Sequence, residues 1–267
     1  MKIIVIGGSG LIGTKLVRAL REQGHEAVAA SPKSGVNAFT GEGLAPALEG
    51  AAAVIDVSNA PSWEAAAVMK FFLTSTHNLL DAEAAAGVQH HIALSVVGAE
   101  RMPGNTYMPA KIAQEAAIQD GPIPYTIVRA TQFFEFVGAV ADSGTIDGTV
   151  RLPPIDFQPI AADDVAAILA GIAVAVPLNG TIEIGGPERK PPEQFVRRLF
   201  AARKDPRPVV TAANALYFEA EVDDRSLTAQ SQARLGKIYL AADLIDYPGV
   251  IRGEIGQPRA ALGLRST

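Results

Sequence analysis

Tyr107 and Lys111 stand four residues apart, which on a helix puts both side chains on one face. A phenol titrates at about 10 and is a poor acid or base at neutral pH until a neighbouring ammonium favours the phenolate, and Lys111 can supply that charge. Ser95 lies 12 residues before Tyr107, at the end of a predicted strand, where its hydroxyl can hydrogen-bond the carbonyl oxygen of a substrate. Together the three would polarise an acceptor oxygen and deliver a proton to it. A Tyr-x-x-x-Lys pair arises readily by chance, so its weight comes from its placement in the chain.

That placement is downstream of a nucleotide-binding turn. Ile3-Ile4-Val5-Ile6 is an apolar run too short for anything but a buried strand, and it enters Gly7-Gly8-Ser9-Gly10-Leu11-Ile12-Gly13 directly. Leu11, Ile12, Leu16, Val17 and Leu20 then recur at helical spacing as far as a stop at Gly24. Glycines between strand and helix let the chain reverse tightly, admit a pyrophosphate to the backbone and bring helix close to strand. The helix N-terminus offers free N–H groups and a positive dipole end to the phosphates. Gly8, Gly10 and Gly13 spell GxGxxG, while Gly7, Gly10 and Gly13 spell GxxGxxG, and the motif alone does not choose between them.

The segment after the next strand bears on which dinucleotide is favoured. Ser31-Pro32-Lys33-Ser34-Gly35 carries no carboxylate to accept a hydrogen bond from a free ribose 2′-hydroxyl, whereas Lys33 and the two hydroxyls suit a 2′-phosphate. NADP(H) is therefore expected over NAD(H). Asp56 is no rival ribose ligand, because it sits inside a later strand, where it is expected to be half-buried and hydrogen-bonded.

The elements that must position these residues follow from the apolar pattern. Glu26 to Ala30, Ala53 to Val57, His91 to Val97, Tyr125 to Val128 and Thr181 to Ile184 read as further strands, with helices between them. The clearest helix runs from about Trp63 to Ala86, with Ser62 as N-cap and Gly87 as stop. Tyr107 falls at another helix start, where Asn105 or Thr106 can cap and Pro109 is tolerated in the first turn. Near-continuous apolar strands alternating with helices predict a doubly wound α/β fold, a parallel sheet covered on both faces. The 267 residues read as one domain, with a core over about 1–131 and 159–185 and substrate-covering segments over about 132–158 and 186–245.

Composition narrows the function classes. A formal charge of -5 leaves no basic footprint for nucleic acid. The absence of cysteine removes disulfides, thiol nucleophiles and Cys-based zinc sites. The first apolar run ends too early for a secretory signal, and Val165 to Val176, the longest candidate span, is broken by Pro177. A cytoplasmic protein acting on a small molecule, without nucleic acid or membrane as partner, is expected, and a homo-oligomer is compatible with the sequence. His90 and His91 are adjacent at a strand entrance, so they face opposite ways with no third ligand near in sequence, and no metal is expected. Phe133, Phe134, Phe136, Met102 and Met108 divide evenly between a pocket reading and a core reading. Arg197-Arg198 and Arg203-Lys204 read as a solvated helix face.

With Ser95, Tyr107 and Lys111 placed after the glycine turn, the chain resembles the short-chain dehydrogenase/reductase superfamily, in particular its atypical NmrA-like and quinone-reductase-like branch. The resemblance extends to Gly41-Glu42-Gly43-Leu44, to Gly50 through Ala60, to Leu94 through Gly98, to Tyr125 through Phe134, and to Pro159 through Val165. It implies that Ser58, Asn59 and Ala60 pass near the cofactor, that Lys111 holds the nicotinamide ribose and that the loop from Thr131 lies over the nicotinamide. Asp164 is expected only as an N-cap or first-turn acid. Two features depart from the branch. Many NmrA-like members lack the tyrosine, so Tyr107 argues for catalysis, and the stretch from Tyr247, rich in Gly, Pro and Arg, matches nothing in the family and is expected to be poorly ordered. The function expected is hydride transfer from NADPH to a carbonyl or quinone-like acceptor, with Tyr107 as proton donor, Ser95 polarising the acceptor oxygen and Lys111 lowering the tyrosine pKa. The alternatives are a non-catalytic NADP(H)-sensing regulator and, less favoured given Lys33, an NAD-using epimerase.

Overall fold

The computed structural model describes residues 1–102 and 104–240; the segment from Tyr247 onward lies outside the described residues. Its frame is a seven-stranded parallel sheet built from β1 (Lys2–Ile6), β2 (Glu26–Ala30), β3 (Ala53–Asp56), β4 (His90–Val96), β5 (Tyr125–Ala130), β8 (Gly180–Gly185) and the short β10 (Arg234–Leu235). The strand order is β10-β8-β5-β4-β3-β1-β2, every pairing parallel. The six strands read from the sequence are all present, with ends displaced by no more than a residue or two. The fold class is therefore the doubly wound α/β fold expected.

Each strand feeds both faces, because alternate side chains point opposite ways. Ile3 and Val5 of β1 and Ile55 of β3 join Leu16 and Leu20 of α1 (Leu11–Glu22) and Val165 and Leu169 of α6 (Ala162–Ala173) in one core. Ile4 and Ile6 of β1 and Val54 of β3 face the other way, onto Leu44 and Leu48 of α2 (Leu44–Leu48) and Leu79 of α3 (Ala65–Ala86). Two-sided burial is why these strands read as unbroken apolar runs. The long helix starts two residues later than expected: the Glu64 carboxylate, not Ser62, caps it by accepting from the N–H groups of Ala66 and Ala67, while the Ser62 hydroxyl, two residues earlier, accepts from Glu64 N. Gly87 ends it in the left-handed conformation, φ 73°.

The order reverses between β1 and β3, since the chain leaves β1 for β2 on one side and returns to β3 on the other. Open α/β sheets bind ligands in the crevice at such a point, beyond the carboxyl ends of the strands. Over that end lies a second, three-stranded sheet of β6 (Thr145–Ile146), β7 (Thr149–Leu152) and β9 (Val209–Thr211), packed with α5 (Val137–Ser143) and α7 (Pro192–Arg203). Its core gathers Phe134, Val137, Phe157, Phe195, Leu199 and Tyr217, together with Met102 and Met108 from the β4 side. Met102, Met108 and Phe134 are thus core residues, while Phe133 and Phe136 are half-buried. The cations of α7 form the solvated face expected, with Arg197, Arg203 and Lys204 exposed and Arg198 half-buried, and the arginines also make local contacts. Arg198 forms a two-pronged pair with Glu188, Arg197 donates to the Val209 carbonyl and Arg203 lies under Gly138. Arg197 thereby ties α7 to β9, and Arg198 ties it to the segment after β8.

Candidate active site

The glycine turn is shaped by close backbone contacts. Gly7 adopts φ 77°, and a Cβ there would stand 2.8 Å from the Ser58 backbone, so the turn is pressed onto the segment leaving β3. A Cβ on Gly8 would meet Ala29 at 2.6 Å, and one on Gly13 would meet the Gly7 carbonyl at 2.2 Å. These are packing glycines. Gly10 differs: a Cβ there meets only the Gly7 carbonyl, at 3.3 Å, and Gly10 stands at the N-terminus of α1 with no side chain capping it. Gly7 makes the turn, Gly10 leaves the approach to the helix dipole open and Gly13 seats the helix, which selects the GxxGxxG register, with Gly8 serving the contact with β2. Ser9, Leu11 and Ile12 complete the turn, Ile12 buried in the core and Ser9 exposed.

The flanking segments meet at this turn. The N–H groups of Gly7 and Gly8 both donate to the Ala30 carbonyl, at 3.0 and 3.2 Å, which fixes the end of β2 beside the glycines. Ser31 follows at once, capping a single helical turn over Pro32–Ser34 in a reciprocal box with Ser34, and Lys33 projects from that turn exposed. On the other side of the switch point the hydroxyls of Ser58 and Thr131 are buried with no hydrogen-bond partner, as is the Oε1 of Gln132. Buried polar atoms are nearly always paired, so three orphans at the carboxyl ends of β3 and β5 mark surfaces made for the polar atoms of a ligand. The open Gly10 approach and these orphans fit a dinucleotide.

Tyr107 lies just before α4 (Met108–Gln119) and is half-buried. Asn105 shapes this helix start, its Oδ1 accepting from the N–H groups of Tyr107 and Met108. The phenol donates to Asn59 Oδ1 at 3.1 Å, so a residue expected beside the cofactor is joined to the expected proton donor. Trp63 and Phe72 wall the ring, with centroids at 5.7 and 5.5 Å, the latter edge-on. Burial, and after it the charge of Asp56, push the phenol above its ordinary value. The expectation that Lys111 would pull it down is not met. The ammonium of Lys111 instead donates to the Leu94 carbonyl at 2.9 Å and to Gln114 Oε1, and lies 4.3 Å over the Phe72 ring. Its own pKa is lowered to about 8 by burial, against the raising pull of Asp56 and Glu115.

Ser95 is the second correction. Its hydroxyl donates to Glu115 Oε1 at 2.5 Å, on the face of β4 that α4 covers. Glu115 lies eight residues beyond Tyr107, about 12 Å along the helix, so Ser95 and Tyr107 are not brought together. Arg129 stands beside Ser95 in the β4–β5 register and binds Glu115 through Nε and Nη2. The half-buried guanidinium needs a counter-ion, α4 supplies it, and the serine hydroxyl completes that carboxylate. The histidines also have structural partners: His90 Nε2 pairs with Thr126 Oγ1 and His91 Nδ1 with Glu83. Sequence reasoning missed Gln114 and Glu115, although two polar residues at i+3 and i+4 from Lys111 share its buried side of the helix.

A glycine turn at the switch point of a doubly wound sheet, with an uncapped helix start and orphaned hydroxyls across from it, defines a dinucleotide-binding protein of the Rossmann type. Residues 7–175 match the family model described as NAD(P)H-binding, and the chain belongs to that family. Similar curated proteins are the photosystem II assembly factors Ycf39 of Synechocystis sp., 30% identical, and of Cyanophora paradoxa, 27% identical, each over 174 residues. Those residues make up 60% of this chain and 51% of either relative, so the chain spans about half the length of the curated relatives it matches. Among solved structures it resembles the NADPH-dependent quinone oxidoreductase of Escherichia coli complexed with NADPH, with TM-score 0.63 and 18% identity over 80% of this chain and 78% of that one. It also resembles the UDP-glucose 4-epimerase of Thermus thermophilus in complex with NAD, with TM-score 0.64 and 17% identity over 80% and 88%. At such identities the likeness shows the fold alone. Among the described residues no helix is long and apolar enough to cross a membrane.

Proposed function

We propose that the protein is an NADPH-dependent oxidoreductase that reduces a carbonyl or quinone-like small molecule. The observation that carries this reading is the placement of Tyr107: a phenol at the carboxyl end of the sheet, joined to Asn59 at 3.1 Å and walled by Trp63 and Phe72. The phenol carries a proton across the neutral range that an oxygen gaining a hydride on its carbon can take, and since burial makes it a weaker acid than a free tyrosine, the transfer draws on the basicity of the alkoxide that develops. In this reading Gly7, Ser9, Gly10, Leu11, Ile12 and Gly13 present the backbone and helix dipole to the pyrophosphate. Ser31 and Lys33 favour a 2′-phosphate, while Ser58, Asn59, Ala60 and Thr131 border the nicotinamide side and Lys111 meets the ribose. When bound, the cofactor supplies the hydride. The chain's own part is to orient the acceptor between the Tyr107 wall and the 132–158 and 186–240 segments, and to move the phenol proton from Tyr107 Oη to the acceptor oxygen. Ser95 has no part in it.

The test is NADPH and NADH oxidation against a panel of quinones, aldehydes and ketones, alongside titration of each cofactor. Turnover with NADPH in preference to NADH supports the reading; turnover with NADH alone overturns the assignment of Lys33. A second reading, a non-catalytic NADP(H)-binding assembly or regulatory protein, draws support from the Ycf39 relatives, which are photosystem II assembly factors, and from the engagement of the Ser95 hydroxyl by Glu115. Tight NADPH binding with no turnover across the panel would favour it.

A further inference from the structure

A buried polar chain runs beneath the site. Asp56, at the end of β3, is 2% exposed and uses both carboxylate oxygens. Oδ1 accepts from Ser58 N at 2.9 Å, and Oδ2 accepts from Gln114 Nε2 at 3.0 Å. Gln114, itself 2% exposed, turns its other amide atom, Oε1, to the Lys111 ammonium. Since a carboxylate can only accept, it obliges the Gln114 amide to present nitrogen to Asp56 and oxygen to Lys111. The same carboxylate grips the backbone of Ser58 in the segment expected beside the cofactor. One residue therefore sets both the cofactor-side loop and the orientation of the amide that holds the lysine.

From this geometry we infer that Asp56 and Gln114 are positioning residues for the site: Asp56 orients the Gln114 amide, and the amide places the Lys111 ammonium and keeps it charged in an interior that disfavours charge. The surroundings of Lys111 agree. From its own helix it faces Glu115, which is already engaged by Arg129 and Ser95. From β4 it meets the Leu94 carbonyl, and from α3 the Phe72 ring. The buried Glu83–His91 pair of α3 and β4 lies near enough to feel the Asp56 charge. Asp56 and Glu115 are the acids that support the ammonium, and only Asp56 reaches it through an unshared amide. The inference rests on the proposed function only in taking Lys111 to serve the site.

The sign follows from linkage. Burial lowers the Lys111 pKa and Asp56 opposes that, so removing the Asp56 charge or the Gln114 amide lets the ammonium lose its proton at lower pH. The experiment follows the Lys111 Nζ titration by NMR in lysine-labelled protein, assigned with a Lys111→Met variant, and NADPH affinity over the same pH range. Asp56→Asn and Gln114→Met are each expected to move the Lys111 midpoint down by about one pH unit, with the alkaline loss of NADPH affinity moving alongside. Gln114→Glu, which keeps an acceptor toward Lys111, is expected to leave the midpoint at or above the wild-type value. Should Asp56→Asn fail to fold, the opposed pair at position 114 carries the test. An unmoved midpoint in folded Gln114→Met overturns the inference. A shifted midpoint in a protein that turns over nothing would uphold it while removing the oxidoreductase reading.

Discussion

At the scale of single residues, the proposed function turns on the phenol of Tyr107. Tyr107 is joined to Asn59 and enclosed by Trp63 and Phe72, and nothing in this arrangement draws it toward phenolate. Under the proposed function, Tyr107→Phe removes the proton and leaves the ring, so turnover is expected to fall by roughly two to four powers of ten while NADPH affinity, measured by titration, stays at the wild-type value. Full turnover in that variant would take the donor role away from Tyr107. The same residues show how far sequence carries. The placement of Tyr107 and Lys111 at a helix start was legible, because Asn105 ahead of an apolar run marks a cap, but the partners of Lys111 were not. Ser95 was misread because position in a strand fixes the face but not the partner: Arg129, its neighbour in register, brings Glu115 into reach, and that pairing spans 20 residues of chain. The Asp56–Gln114 contact spans 58 residues and leaves no local pattern at all.

At the scale of elements, helices and strands are fastened by buried polar pairs whose protonation the fold controls. His90, at the start of β4, is 4% exposed and pairs with Thr126 of β5 through Nε2, while its Nδ1 is buried without a partner. Burial, and after it the charge on His91, lower its pKa to about 4. In the unfolded chain the same ring takes a proton at about 6.5, so as pH falls below that value the unfolded state binds a proton that the folded state refuses. Stability attributable to His90 is complete above about pH 6.5 and is lost between there and about pH 4, by at most about 3 kcal/mol. Urea unfolding at pH 7 and pH 5 checks this: a His90→Gln variant is expected to lose less stability over that interval than wild type, and equal losses would contradict it. The elements themselves were legible to within a residue or two, because two-sided burial writes strands as plain apolar runs. The small strands β6, β7, β9 and β10 were not, being two to four residues long and held mainly by their neighbours.

At the scale of the whole molecule, residues 223–240 form a strap that returns across the carboxyl end of the sheet and joins it to the lobe above. The Ser226 carbonyl packs so closely on Gly98 that a Cβ there would approach it to 2.0 Å, Gln158 binds both Gly186 O and Ala229 N, and Gly236 N donates to Gly185 O. The clasp is Asp164. Sequence assigns it as a first-turn acid of α6, and it is one, but its Oδ2 also accepts from the N–H groups of Lys237 and Ile238, at 2.9 and 2.8 Å. Losing it leaves two backbone donors unpaired, a cost of about 1–3 kcal/mol confined to the strap, because the parallel sheet makes its own hydrogen bonds. Gly236 offers an independent way to the same end: a Cβ there would lie 2.4 Å from Asp164 Oδ2. Both Asp164→Ala and Gly236→Ala are expected to speed amide hydrogen exchange at Lys237 and Ile238 while exchange in β1, β3 and β4 stays slow. Under the proposed function, NADPH affinity should hold in both variants, since the glycine turn lies at the other side of the switch point, while KM for the acceptor rises. Equal loosening of β1 in either variant would show that the strap is part of the cooperative core, and acceptor binding would then have no separate seam to open.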